Sequence, residues 1–125
     1  MTSALVLMLA ACGEQGPAAA PESGMTGVVT LGPQCPVESP GEPCEDQPAA
    51  GVAVTASEQL PGEAYAAGPV VARGVTDADG AFRITAAPGA YVVTAEAGMS
   101  CELMDVRVSD GEYAEVDVPC DTGIR

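Results

Sequence analysis

The sequence predicts an all-β domain, a seven-stranded β-sandwich with antiparallel or mixed sheets. Three observations lead there. Short windows of alternating apolar and polar residues recur from Met25 to Val118, the period of a half-buried strand. Gly, Pro and Asp turn signals stand between those windows. Beyond the apolar N-terminus, no window repeats with the period of a helix. Seven short strands separated by turns form the pattern of a sandwich.

The N-terminus precedes this domain. Its apolar run, Ala4 to Ala11, is too short to span a bilayer, which takes about 20 residues. It suits the apolar region of a signal peptide, residues 1–11. Leu9-Ala10-Ala11-Cys12 resembles a bacterial lipobox. That resemblance implies cleavage before Cys12, a diacylglyceryl thioether on its sulfur, further acylation by a chain such as palmitate, and the membrane as a partner. An ordinary secretory signal, or a stray apolar N-terminus, is the alternative. Residues 12–24 are rich in Pro, Ala and Gly without periodicity and read as a lipid-anchored tether. The domain is expected over residues 25–125.

The first strand is expected at 25–31, with Met25, Gly27, Val29 and Leu31 on one face. Gly27 inside it signals a close backbone approach. Residues 32–50 carry Pro33, Pro36, Pro40, Pro43 and Pro48, which argue against regular structure. The second strand, 51–57, turns Val52, Val54 and Ala56 one way. A polar excursion over 58–68 leads to the third, 69–77. Asp77-Ala78-Asp79-Gly80 turns the chain into the fourth, 81–86, and Pro88-Gly89 into the fifth, 90–97, so that the three form a meander. A loop over 98–102 holds Cys101. The sixth strand, 103–109, is joined to the seventh, 112–118, by a hairpin at Asp110-Gly111. Ala114, Val116 and Val118 alternate there with Glu115 and Asp117, apolar in and acidic out.

Composition excludes several functions. Eighteen acidic against four basic residues give a net charge of −14, so nucleic acid is not a partner. The chain has no His, and all four of its basic residues are Arg. The usual general bases for nucleophilic catalysis are therefore missing, and no catalytic residue, cofactor or enzyme activity is expected. The core is built from Val and Ala, because Phe82, Tyr65, Tyr91 and Tyr113 are the only aromatic residues. Such a core buries little area per residue, so covalent staples are expected.

Four Cys beyond Cys12 allow three pairings. Cys35–Cys44 closes a local lasso in the Pro-rich loop. Cys101 and Cys120 flank the expected hairpin, which favours Cys101–Cys120. An exported chain meets oxidising conditions in which disulfides persist. A four-Cys metal site is the rival, without any Cys-x-x-Cys pair to support it. Asp77 and Asp79 suggest calcium, but an EF-hand loop starting at Asp77 would place Ala81 and Pro88 at its fifth and twelfth positions. They are read as turn residues. A looser carboxylate site drawing on Glu45 and Asp46, or Asp110 and Glu112, stays open.

The run Thr76-Asp77-x-x-Gly80-x-Phe82-x-Ile84, followed by Pro88-Gly89-x-Tyr91-x-Val93-x-Ala95, resembles the carboxypeptidase regulatory-like domain. Gly27-x-Val29 and Gly51-Val52-x-Val54 also fit, so the resemblance spans about residues 25–119. It implies a transthyretin-like (prealbumin-like) sandwich in which these residues are turn and core positions. Domains of this family act as stabilising, spacing or binding modules. The related collagen-binding repeats form a Lys–Asn isopeptide, and this chain has neither residue type.

The reading is a non-catalytic, lipid-anchored extracytoplasmic module that binds or scaffolds an unidentified protein or glycan at the cell surface. The acidic lasso, with Glu38, Glu42, Glu45 and Asp46, is the first candidate for a partner contact. Alternatives are a small-ligand or carbohydrate-binding sandwich using Tyr65, and a peptidase inhibitor acting through its braced loop.

Overall fold

A computed structural model describes residues 22–35, 44–62 and 66–124. Ten strands run through them: β1 (Gly24–Gly32), β2 (Gln47–Pro48), β3 (Ala53–Gln59), β4 (Ala67–Val75), β5 (Ala81–Thr85), β6 (Gly89–Glu96), β7 (Ser100–Cys101), β8 (Met104–Val108), β9 (Tyr113–Glu115) and β10 (Val118–Asp121). They form a six-stranded sheet centred on β1 and a four-stranded sheet in the order β4-β3-β6-β8. The described residues contain no helix.

β1 has different neighbours along its two halves. Its first half pairs antiparallel with β5 and parallel with β9, and its second half antiparallel with β2 and parallel with β10. Met25, Gly27 and Val29 are buried, as their alternation requires. A Cβ on Gly27 would collide with the Val116 carbonyl, so the close approach signalled in the sequence is real and involves backbone.

Ten strands replace the expected seven for identifiable reasons. The Pro-rich loop holds a short strand after all, because Gln47 and Pro48 pair with Leu31 and Thr30 at the sheet edge, where a Pro needs no donor. The loop over 98–102 holds β7, which pairs with β10. The expected strand at 112–118 is broken at Asp117, whose Oδ1 accepts the Val28 N–H at 3.0 Å. A side chain takes the place of the next ladder carbonyl, separating β9 from β10. Apolar-in and acidic-out still holds there: Val116 and Val118 are buried, and Glu115 and Asp117 are exposed.

The larger correction concerns sheet membership. The stretch from β4 to β6 is not a meander. β4 and β6 belong to the four-stranded sheet and β5 to the six-stranded one, so each tight turn carries the chain from one layer to the other. The turn at Asp110-Gly111 behaves in the same way. Glu112 N–H donates to the Ser109 carbonyl at 3.2 Å, but β8 pairs with β6 while β9 pairs with β1. The expected hairpin is a crossover. β1 needs ladders on both sides, and β5 and β9, which flank its first half, reach it by crossing from the other layer.

Both sheets contribute to one core. Met25, Val29, Phe82, Ile84, Val116 and Val118 come from one layer, and Val54, Ala56, Tyr91, Val93, Ala95 and Val108 from the other. Phe82 and Tyr91 lie among Val and Ala as the largest rings available. The Tyr91 hydroxyl donates to the Ala87 carbonyl, satisfying its polar end.

Thr76 fastens the layers at the turn. Its buried Oγ1 accepts the Val52 N–H at 2.9 Å and donates to the Ala49 carbonyl. Thr76→Val keeps the shape and strands both partners, and each orphaned group costs about 1–3 kcal/mol. We expect a loss of about 2–3 kcal/mol, read as a lower urea midpoint at unchanged m. An unchanged midpoint would show that water replaces the hydroxyl.

Candidate functional site

The described part of the expected partner surface, Glu45 and Asp46, lies at the end of β1 that runs into Cys35. Cys35 is bonded to Cys44 and Cys101 to Cys120, the pairing expected from the sequence. The geometric reason for the second bond is different, however. Cys101 and Cys120 are register partners of β7 and β10 within one sheet, not the two ends of a hairpin. Thr122 ties the C-terminal segment to the base of the lasso: its N–H donates to the Gly32 carbonyl at 2.9 Å, and its Oγ1 to the Pro33 carbonyl. Gln34 Nε2 donates to the Leu31 carbonyl at 2.7 Å.

An open depression of about 460 Å3 lies between these parts, lined among others by Pro33, Cys101, Glu102, Pro119, Cys120 and Asp121. Its walls are backbone, proline rings and a disulfide. Glu102 and Asp121 are its acidic lining residues, and one Asp121 oxygen accepts the Gly123 N–H at 2.8 Å. Glu45 and Asp46 are exposed at the foot of the lasso, with the Asp46 carboxylate lying over Gly32. Glu38 and Glu42 lie outside the described residues, as do Cys12, the signal peptide and Tyr65. The structure thus gathers Glu45, Asp46 and both disulfides at one pole.

Asp77 and Asp79 occupy a turn. Asp77 Oδ1 accepts the N–H groups of Asp79 and Ala81 at 2.8 and 3.0 Å. Gly80 takes φ +77° and its N–H donates to the Asp77 carbonyl. Aspartate side chains stabilise turns by this local bonding. Among the described residues, no three His, Cys, Asp or Glu side chains converge as metal ligands.

At the opposite pole, one polar cluster escaped the sequence reading. The Arg83 guanidinium stacks 3.7 Å over the Tyr113 ring and pairs with Glu22 at 3.6 Å, an exposed ion pair. Tyr113 donates to Glu22 Oε1 at 3.2 Å and accepts from Thr85 Oγ1 at 2.8 Å. Ser23 Oγ donates to the Ala86 carbonyl. Glu22 and Ser23, assigned to the tether by composition, are therefore bonded to the domain. Only the register of β1 with β5 and β9 brings these residues together, and local sequence carries no trace of it.

No protein-family model matches the chain, and no curated protein matches it. Among solved structures, its fold is similar to part of a 9R-lipoxygenase from Cyanothece PCC8801, at 11% identity and a TM-score of 0.45 over 82% of this chain. The chain spans 16% of that protein's length, and a likeness of this degree carries no functional argument.

Proposed function

We propose that this protein is a non-catalytic, lipid-anchored extracytoplasmic module, a transthyretin-like β-sandwich that binds or scaffolds another component at the cell surface. The observation that carries the reading is the pair of disulfides in a small all-β domain, which fits an oxidising compartment. The lipobox-like Leu9-Ala10-Ala11-Cys12 and the Pro- and Ala-rich segment after it supply the anchor and spacer. With no His or Lys, the chain presents surface rather than catalytic machinery. β1 has nine residues and, at about 3.3 Å per residue, holds the two poles roughly 30 Å apart. The segment leading to the anchor enters at the Glu22 pole, so the opposite pole, with Glu45, Asp46 and both disulfides, faces away from the membrane.

The anchor is tested by labelling cells with radioactive palmitate and partitioning the extract in Triton X-114. The wild-type chain should be labelled and enter the detergent phase, whereas Cys12→Ser should be unlabelled and remain aqueous. A labelled variant, or an unlabelled wild type, would refute lipidation at Cys12.

A further inference from the structure

The four-stranded sheet ends on one side in β4, nine residues long. Among the described residues, three of the five exposed large apolar side chains belong to it: Val70, Val71 and Val75, at 43, 47 and 68% exposure. A fourth, Leu60, packs beside Gly68 of the same strand. Register explains the first two. Ala56 pairs with Ala72 and Ser57 with Val70, so Val71 is an inserted residue without a partner in β3, and a bulge leaves its neighbours turned outward.

Beyond the bulge the edge is regular. Thr76 N–H donates to the Val52 carbonyl, and the alternation of an antiparallel ladder then directs Gly74 and Ala72 toward β3. Arg73 and Val75 are left with N–H and C=O groups pointing away from the sheet. An open edge of this kind is a template for another strand. Arg73 stands among the exposed valines and, among the described residues, makes no ion pair, in a chain with 18 acidic residues.

We propose that β4 is a docking edge for an extended segment of a partner protein, one that sets a single carboxylate opposite Arg73 between two β-branched side chains. Main-chain bonds to Arg73 and Val75 hold such a strand, and the side chains opposite them select it. A second copy of this chain fits less well. A two-fold pairing centred on Arg73 sets two guanidiniums against each other, shifting it toward the N-terminus brings Pro69, which has no N–H, opposite Val75, and shifting it the other way sets Arg73 opposite Val75 with no carboxylate across from it. Each copy also carries −14. The proposal gives the module reading a surface and a partner chemistry, and it rests on that reading.

The test uses the full chain and two synthetic peptides, Thr-Val-Thr-Glu-Thr-Val-Thr and the same peptide with Lys in place of Glu. Affinity is followed by NMR titration of the Arg73 and Val75 amides, with hydrogen exchange as a second readout. The Glu peptide should bind roughly fivefold more tightly than the Lys peptide and protect both amides, and Arg73→Glu should invert the preference. Light scattering should show a monomer throughout. Absence of binding by either peptide at millimolar concentration, a preference that survives Arg73→Glu, or a dimer that protects the same two amides without peptide would each overturn the proposal. None of these outcomes touches the palmitate result, so the docking edge and the anchor can fail separately.

Discussion

Gly27→Ala is expected to lower the melting temperature by roughly 12–25 °C, a loss of about 3 kcal/mol for a domain of this size. The cause is not glycine's conformational freedom, since Gly27 is absent from the positive-φ glycines. Its Cα faces the Val116 carbonyl so closely that any Cβ overlaps it, and the Phe82 ring closes the remaining side at 3.0 Å. The clashing atoms belong to the main chain, which cannot swing aside as a side-chain end can. The strand must therefore shift, and Val116 N–H loses its bond to the Thr26 carbonyl at 2.8 Å. Gly51→Ala is the control. Gly51 takes φ +70° with nothing within 4 Å of an added Cβ, so it carries only the left-handed penalty of about 1–2 kcal/mol. Thermal unfolding followed by circular dichroism ranks the two variants. If Gly51→Ala is the more damaging, the contact of β1 with Val116 is looser than described.

Replacing Cys101 and Cys120 together by Ala should remove about 3–4 kcal/mol. With a sequence separation of 19, the chain-entropy model assigns the cross-link about 3 kcal/mol. Cys120 is 3% exposed within the core, so its truncation adds a packing loss. β7 has two residues and two register partners, Cys120 and Asp121. Without the covalent bond little holds it, and the Glu102 N–H, which donates to the Pro119 carbonyl at 3.0 Å, should exchange much faster. The corresponding change at Cys35 and Cys44, both half-buried at the lasso base, should cost less and leave that amide protected. A difference of only about 0.7 kcal/mol between the two pairs, which loop closure alone assigns to separations of 9 and 19, would mean that burial of Cys120 adds nothing.

The residues that could be read in advance were those whose environment follows from their own neighbourhood. Period-two alternation placed Met25, Val29, Val54, Tyr91, Val93 and Val118 in the core, where they lie. Asp77 and Gly80 announced their turn. Sheet membership was not legible, because a tight turn looks the same whether it returns within a sheet or crosses between layers. The difference lies in β1, whose two flanks must be filled by strands distant in sequence. The Cys101–Cys120 bond shows the consequence: the right pair was reached from a hairpin that does not exist. Most of the candidate site was hidden for the same reason. Val70 and Val71 are exposed because β3 and β4 differ in length across a bulge, and Glu22 joins Arg83 and Tyr113 only through register. The acidic lasso could be identified from its Cys and Pro spacing alone.

The position of β1 also decides how the domain bears load. A pull arriving through Glu22 acts along the axis of a strand flanked by β5 on one side and β9 on the other. Ladder bonds lie roughly across that axis, so the force shears them as a set instead of peeling them one at a time. If the chain is pulled at Glu22, the domain resists at the strand with the most neighbours, and the weakly paired β7 and β2 at the far pole carry little of the tension.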